Sequence, residues 1–160
     1  MEISDKRGIM SLFAIADLHL SLGVDKPMDV FPGWAGYVEK LEKNWRENVR
    51  PEDTVVVAGD ISWGLDISEA KEDFAFLDRL PGTKILLKGN HDLWFSTKTK
   101  VEKFFAENGF STLKILFNNA YEYGDRAICG TRGWLFDVGE PHDEKVMNRE
   151  IGRLKMSLDA

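Results

Sequence analysis

Three short polar segments each follow an apolar run and carry side chains that can bind a metal ion or transfer a proton. They are Asp17-Leu18-His19, Gly59-Asp60 and Gly89-Asn90-His91-Asp92. Carboxylate, imidazole and amide groups of this kind suit Mn, Fe, Zn or Mg better than a metal that prefers thiolates. The sequence therefore predicts a divalent metal site, and a pair of such ions is a known device for activating water and holding a phosphoryl group.

The three segments are predicted to meet because each follows a strand. Ligands in open α/β sheets bind beyond the carboxyl ends of parallel strands. Asp17 and His19 are two positions apart, so their side chains face the same way on an extended segment. Asp60 has two carboxylate oxygens, which allows it to bridge two ions. One site is therefore expected to collect all three segments.

The apolar pattern predicts alternating strands and helices that would hold these segments. Apolar runs predict strands at 12–16, 54–58 and 84–88, and the first is typical of a parallel strand covered on both faces. Helical spacing predicts a helix from Trp34 to Val49, a second with Ser68 as its N-cap, and a third that ends at Asn108-Gly109. The order is β-α-β-α-β-α.

The pattern changes after the third helix. Short strand candidates at 113–117, 120–123 and 126–129 are separated by turn dipeptides, which predicts an antiparallel section. A last helix is predicted over 144–158. Residues 1–9 are polar and lack periodicity, so they are interpreted as a leader, and residues 10–160 as one domain.

Composition restricts the class of protein. The 160 residues are 43% hydrophobic and 30% charged, which suits one globular domain. The net charge of −6 argues against a broad nucleic-acid surface or an anionic-membrane surface. The single Cys129 cannot form an intrachain disulfide, and no signal peptide or membrane anchor is recognised. A cytoplasmic location is therefore expected.

The three polar segments, in this order, resemble the motifs of the calcineurin-like metallophosphoesterase family. Gly89-Asn90-His91-Asp92 is the most specific, because the two shorter motifs often occur by chance. The resemblance implies an α/β fold, a four-layer αββα sandwich with two divalent metals between the sheets' loops. It also implies a metal-dependent phosphoester hydrolase, in which a metal-bound hydroxide attacks phosphorus in a phosphorylated small molecule or a phosphodiester.

The resemblance assigns a role to each matching metal ligand. Asp17 and His19 would bind the first metal, Asp60 would bridge both metals, and Asn90 would bind the second. The first metal then has three ligands, whereas the second has only Asp60 and Asn90. One ion is therefore expected to bind near Asp17, His19 and Asp60 more tightly than any second ion.

Further residues are candidates for catalysis and substrate binding. By the same resemblance, His91 would be the acid that assists the leaving group, oriented by Asp92. Trp63 and Trp94 each follow a metal motif, so they either wall the substrate pocket or lie in the core, where large aromatic residues usually are. Arg132 is either a phosphate clamp or a turn residue.

Part of the family pattern is absent from this chain. The family completes its site with a later His and a Gly-His-x-His segment, whereas this chain has only His19, His91 and His142, the last interpreted as an exposed residue before the final helix. Trp63 also stands where the family often has a second Asp. The chain is therefore interpreted as truncated on the C-terminal side of the sandwich, with impaired activity. The alternative is a catalytically dead fragment that acts only in binding or self-association.

An incomplete second sheet has a consequence for assembly. Open strand edges and uncovered apolar faces favour association between molecules. The chain is therefore expected to form a homo-oligomer.

Overall fold

The structure is a computed structural model that describes residues 10–134 and 141–160, except for the side chains of residues 141–143. The predicted leader at 1–9 and the predicted exposure of the His142 side chain lie outside the described residues. The elements, in chain order, are β1 Leu12–Ile15, α1 Tyr37–Asn48, β2 Thr54–Val57, α2 Lys71–Arg79, β3 Thr83–Leu86, α3 Lys98–Asn108, β4 Leu113–Ile115, β5 Tyr121–Tyr123, β6 Arg126–Ile128 and α4 Pro141–Leu158.

A parallel four-stranded sheet with the order β1-β2-β3-β4 forms the centre of the fold. Leu12 lies opposite Thr54, which lies opposite Thr83, and Lys84 lies opposite Leu113. Each neighbouring pair of strands is connected through one helix, as the predicted alternation requires. The α/β fold is thus confirmed, and the carboxyl ends of all four strands lie along one edge of the sheet. The prediction that 113–117 belongs to the antiparallel section is wrong, because β4 pairs in parallel with β3 and only β5 and β6 pair antiparallel.

The main core lies between one face of this sheet and helices α1, α2 and α3. The ring of Phe74 on α2 packs edge-on against Trp94 and Phe105, with centroid separations of 4.8 and 5.0 Å. Phe74 is completely buried, and burial of such a side chain contributes roughly 1.5–3 kcal/mol. This packing fixes the helices, and with them the loops that enter and leave the sheet.

Within the described residues, the opposite face of the sheet is covered only in part. Ile85, Leu87 and Leu116 form a smaller core against the antiparallel β5–β6 hairpin. Leu12 on β1 is 47% exposed, so the prediction that the first strand is covered on both faces is wrong for the described structure. The reason is that the hairpin packs over β3 and the end of β4, whereas β1 is at the far edge of the sheet.

Helix α4 is anchored to the hairpin side of the molecule through a buried serine. The Ser157 hydroxyl accepts a hydrogen bond from the Gly130 N–H at 2.9 Å and donates one to the Asn119 carbonyl at 2.7 Å. The helix begins before the predicted start at Glu144, so His142 falls within it. None of the helices in the described part of the chain has the length and apolar character needed to cross a membrane.

The helix ends show which local predictions were reliable. Gly109 ends α3 with a left-handed φ of 72°, as the Asn-Gly signal predicted. The prediction of Ser68 as an N-cap is wrong, because Asp66 accepts hydrogen bonds from the Ser68 hydroxyl and from the N–H groups of Ser68 and Glu69. Helix α2 then begins at Lys71, so the carboxylate two residues before Ser68 stabilises the turn that leads into it.

Candidate metal centre

The segments that follow β1 and β2 run side by side and are joined through their backbones. The N–H of Asp17 donates to the Gly59 carbonyl at 3.1 Å, and the N–H of His19 donates to the Asp60 carbonyl at 2.9 Å. Asp17, His19 and Asp60 all have left-handed backbones, with φ of 57°, 46° and 51°. Such conformations cost roughly 1–3 kcal/mol each for residues other than glycine and occur preferentially at functional sites. Here they place three polar side chains at one point.

The side chains of these three residues form a cluster with the chemistry of a metal site. A ligand atom from each of Asp17, His19 and Asp60 lies within 4.8 Å of the others. Asp17 Oδ1 lies 3.7 Å from His19 Nε2, and Asp60 is only 8% exposed. Two carboxylates and an imidazole fit a divalent cation such as Mn, Fe, Zn or Mg, because all three groups donate electron pairs and the cation offsets carboxylate repulsion.

Two glycines allow the turns after β2 and β3 to come this close. A Cβ at Gly89 would overlap the Asp60 carboxylate and backbone nitrogen, and a Cβ at Gly59 would lie 2.7 Å from the Gly89 Cα. Gly59 also has a φ of 105°, which side-chain-bearing residues rarely adopt. The glycines in the two motifs are therefore required by the approach of one turn to the other.

Asp92 joins the turn after β2 to the turn after β3 by accepting hydrogen bonds from the backbone of both. One carboxylate oxygen accepts from the N–H groups of Asp60 and Gly89 at 2.8 and 2.7 Å, and the other accepts from those of Ile61 and Ser62 at 2.8 and 3.3 Å. The side chain is completely buried, and burial raises the pKa of the Asp92 carboxyl, while these hydrogen bonds act in the opposite direction. Asp92 therefore positions the backbone that carries the ligands.

The expected contact between Asp92 and His91 is not found among the described residues. The remaining hydrogen bond of Asp92 comes from the indole N–H of Trp94 at 2.8 Å. Trp94 is 2% exposed and packs against Phe74, so its side chain lies in the core and does not wall an open pocket. Of the two alternatives for Trp94, the structure shows the core position.

His91 and Asn90 lie at the open side of the cluster. Both residues are exposed, and the backbone N–H of His91 donates to Asp60 Oδ1 at 2.9 Å. The His91 ring lies 6.0 Å from the His19 ring, measured between centroids. This places an imidazole beside the three ligands while its side chain makes no hydrogen bond within the described residues.

Trp63 lies directly against the cluster, and the long loop after β1 packs around it. The Trp63 ring stacks on His19 with a centroid separation of 4.8 Å, and Lys26 Nζ lies 3.3 Å from the Trp63 ring centroid. The Tyr37 hydroxyl donates to the His19 carbonyl at 2.8 Å. The sequence did not single out Lys26 or Tyr37; the only signal was the length of the loop between β1 and α1.

A buried carboxylate, Asp73, ties α2 to the loops of the site. It accepts from the Leu22 N–H at 2.8 Å and from the Ser62 hydroxyl at 2.5 Å. Burial raises the pKa of Asp73 from its ordinary value of 3.8 to about 6. The folded chain therefore binds this proton more tightly than the unfolded chain does.

The raised pKa of Asp73 predicts a pH dependence of stability with a definite sign. The contribution of the protonated Asp73 carboxyl to the free energy of unfolding is fully present below about pH 4, and it is lost as pH rises through about 6. Asp73→Asn removes this titration, so its stability relative to wild type should increase from pH 4 to pH 7 by up to about 3 kcal/mol. Urea unfolding of both metal-free proteins across this range checks it, with exposed Asp159→Asn as control. An unchanged difference between Asp73→Asn and wild type would contradict the assignment.

Arg132 lies beside α4 rather than in the three-residue cluster. Its guanidinium carbon is 4.7 Å from the Trp134 ring centroid, and its Nε is 3.5 Å from Glu150 Oε1. Lys88, which directly precedes Gly89, is on the same side; burial and the charge of Arg132 lower the pKa of Lys88. A second group of charged residues therefore lies near the end of β3.

Comparison with known proteins identifies the family. A model of the family described as calcineurin-like phosphoesterase matches residues 10–156. The protein of unknown function AQ665 from Aquifex aeolicus is similar, with 23% identity, a TM-score of 0.52, and coverage of 88% of this chain and 70% of that one. Phosphopantetheinyl hydrolase (PptH) from Mycobacterium tuberculosis is 16% identical with a TM-score of 0.45; the match covers 91% of this chain and 51% of that one.

No curated protein sequence matches the chain significantly. The likeness to the Aquifex protein supports the fold alone, because the two chains are only 23% identical. The family model, however, extends from the start of the described residues through the metal cluster, the hairpin and most of α4. On this match, the chain belongs to the calcineurin-like phosphoesterase family.

Proposed function

We propose that this chain hydrolyses phosphoesters with a divalent metal held by Asp17, His19 and Asp60. The observation that carries the proposal is the convergence of these three side chains within 4.8 Å, in a chain of the calcineurin-like phosphoesterase family. A divalent ion in such a site lowers the pKa of water and neutralises charge on a phosphoryl group.

Asp60 is the residue that organises the proposed site. Its carboxylate is buried, and Oδ1 accepts from the His91 N–H, so the side chain has a fixed orientation. Asn90, which directly precedes His91, is exposed and would provide an amide oxygen for a second ion. Asp60 and Asn90 alone make a weaker site than Asp17, His19 and Asp60, because they supply one charge and no imidazole.

His91 is proposed as the proton donor to the leaving group. Its ring lies beside the cluster and is exposed, so a ring nitrogen can reach the oxygen of the departing alcohol. Its backbone is fixed by the hydrogen bond to Asp60, and the side chain makes no hydrogen bond that would compete with this role within the described residues. General acid catalysis of this type contributes roughly 10² to 10⁴ in rate.

Trp63 and Lys26 are proposed to form one wall of the substrate site. The indole covers one face of His19, and the ammonium group of Lys26 lies against the same indole. A cation at this position adds positive charge next to a cluster whose two carboxylates would otherwise repel an anionic phosphoester. Lys26 is exposed, so its ammonium can reorient towards a bound substrate.

The ligand set predicts how many ions this chain binds. One ion should bind tightly at Asp17, His19 and Asp60, and a second should bind only weakly. Calorimetric titration of metal-free protein with Mn measures the affinity for each ion. Elemental analysis after gel filtration measures the number of ions that stay bound. Two ions of equal affinity would contradict this ligand assignment.

A generic assay tests the proposed activity. The chain should hydrolyse an aryl monophosphate or a bis-aryl phosphate when Mn is present, and it should lose this activity when EDTA removes the metal. The second candidate function, a catalytically dead chain that only binds, is favoured by the small number of histidines, three in the whole chain. Metal binding without hydrolysis of either substrate would support that alternative and reject the enzymatic one.

We also propose that the chain self-associates. Leu12, on edge strand β1, and Met10, two residues before it, are 47% and 50% exposed. Ile151, Met156 and Leu158 on α4 are 46%, 49% and 64% exposed. Exposed apolar side chains beside an open strand edge favour association. Size-exclusion chromatography with light scattering at micromolar concentration should show a dimer or larger species, and a stable monomer would reject the proposal.

A further inference from the structure

A cleft lined by both charged and apolar side chains lies at the same edge of the sheet as the metal cluster. It is shallow, opens to solvent, and is bounded by the ends of β3 and β4, the segment after β6, and α4. Lys88 connects it to the metal centre, because this residue directly precedes the Gly89 turn. The polar residues that line the cleft are Lys88, Asn118, Thr131, Arg132, Glu150 and Arg153.

The charges around this cleft are unbalanced. Arg153 Nη1 lies 2.7 Å from Glu150 Oε1, and the Nε atoms of Arg149 and Arg132 lie 3.4 and 3.5 Å from the same oxygen. Lys88 adds a further positive charge to the lining. Among the described residues, one buried carboxylate thus lies against three guanidinium groups, although the chain as a whole has a net charge of −6. The local excess of positive charge favours binding of an anion.

Hydrogen bonding in the cleft is also incomplete. The Arg132 side chain is only 14% exposed, yet its buried Nε has no hydrogen-bond partner, and the 3.5 Å ion pair with Glu150 is its only polar contact within the described residues. Asn118, which also lines the cleft, has a left-handed φ of 58°. Buried polar groups are normally hydrogen-bonded, and strained backbones occur at binding sites. A guanidinium with unused donors is suited to phosphate oxygens.

The Glu150 carboxylate offsets the repulsion between the arginine side chains of the cleft when no ligand is bound. Its other oxygen accepts from the Thr131 hydroxyl at 2.5 Å, so the carboxylate is fixed by α4 and by the segment after β6. Glu150 is 2% exposed and therefore lies behind the cations rather than in the open part of the cleft. It is a positioning residue, which sets the guanidinium groups in place for a ligand.

We propose that this cleft binds a second phosphate group of the substrate, remote from the phosphoester that is hydrolysed, with Arg132, Arg153 and Lys88 as its ligands. The proposal deepens the proposed function and rests on it, since it assigns the substrate class as phosphoesters that carry two phosphates. The binding step itself depends only on the cleft, so it can be measured without the metal and without catalysis.

The first experiment titrates metal-free protein with inorganic phosphate and follows binding by protein NMR. The metal cluster is anionic when empty, so phosphate should bind at the cleft and shift the resonances of residues 130–132. Arg132→Gln should weaken binding by about tenfold or more, because a charge-assisted interaction is lost. Arg126→Gln, at an exposed position on the hairpin, should leave binding unchanged. No saturable binding, or equal binding by Arg132→Gln and wild type, would overturn the proposal.

A second variant and a second measurement complete the test. Arg153→Gln should weaken phosphate binding by a similar factor, which covers the case in which Arg132→Gln fails to fold.

Kinetic measurements then distinguish binding of a phosphate group of the substrate from binding of free phosphate. Arg132→Gln should lower kcat/KM about tenfold for an aryl phosphate that carries a second phosphate, chiefly through KM, and leave the simple aryl phosphate unaffected. An equal effect on both substrates would overturn the assignment of substrate class. If wild-type protein with Mn binds phosphate in the cleft but hydrolyses neither substrate, the proposed function is rejected and the cleft proposal stands.

Discussion

Replacement of Asp60 by asparagine is expected to remove divalent metal binding and phosphoester hydrolysis together. Asparagine has nearly the same shape and still offers Oδ1 to the His91 N–H, so the turn should remain folded. It lacks the negative charge that the Asp60 carboxylate would supply to a bound divalent ion. The loss of metal affinity should exceed the roughly 10- to 100-fold loss typical of a residue that only supports a ligand. Calorimetric titration with Mn and an aryl phosphate assay measure the two effects.

The matched control for this variant is Asp125→Asn. Asp125 lies in the turn of the β5–β6 hairpin, where its side chain is 93% exposed and 3.7 Å from Arg126. The same chemical change there should leave metal affinity, activity and stability almost unaltered, because exposed ion pairs contribute little. Retention of a tightly bound ion by Asp60→Asn would show that the three-residue cluster is not the metal site.

Replacement of His91 by asparagine is expected to slow hydrolysis by roughly 10² to 10⁴ while the metal content stays nearly constant. The His91 ring is not one of the three clustered ligands, and its backbone contact to Asp60 does not depend on the side chain. The effect should appear in kcat with a substrate whose leaving group is a poor one. It should be much smaller for an activated aryl phosphate, whose leaving group needs no proton.

Metal content of His91→Asn is the decisive control for this second prediction. Elemental analysis after gel filtration should give the same occupancy for the variant and for wild type. If the variant loses its metal, His91 is a ligand and the role of proton donor must be given to another group. If activity is unchanged with every leaving group, no proton from His91 is used.

The sequence predicted the parts of the fold that depend on local periodicity. Three of the four parallel strands, the three connecting helices and the hairpin follow from apolar spacing and from turn residues, and Gly109 ends α3 as predicted. The same signals wrongly place the fourth parallel strand, β4, in the antiparallel section. The sequence also predicted that Asp17, His19 and Asp60 would meet, since parallel strands place their carboxyl ends along one edge. These features require only short-range patterns and one general rule about sheets.

The contacts that depend on tertiary packing could not be predicted in this way. Asp92 binds backbone groups of two turns, one of which lies about 30 residues earlier in the chain, and no local pattern indicates such a partner. The stacking of Lys26 on Trp63 depends on the path of a long loop. The exposure of Leu12 depends on how far the hairpin extends across the sheet. Each of these is fixed by distant residues.

The Gly89-Asn90-His91-Asp92 segment illustrates both cases. Its order in the chain and its position after a strand indicated a site, yet two of its residues act on the fold rather than on a ligand. Gly89 permits the approach of the Asp60 turn, and Asp92 holds that turn through its backbone N–H groups. The motif is thus required for the geometry of the metal cluster as well as for its chemistry.

The most direct test of the metal centre is anomalous diffraction at the manganese absorption edge from crystals grown with Mn. The proposed site predicts a strong anomalous peak at about 2.0–2.3 Å from ligand atoms of Asp17, His19 and Asp60. A weaker peak near Asn90 would agree with a second, loosely held ion. No peak at the three-residue cluster under conditions that saturate binding, or a strong peak only elsewhere, would contradict the proposed metal centre.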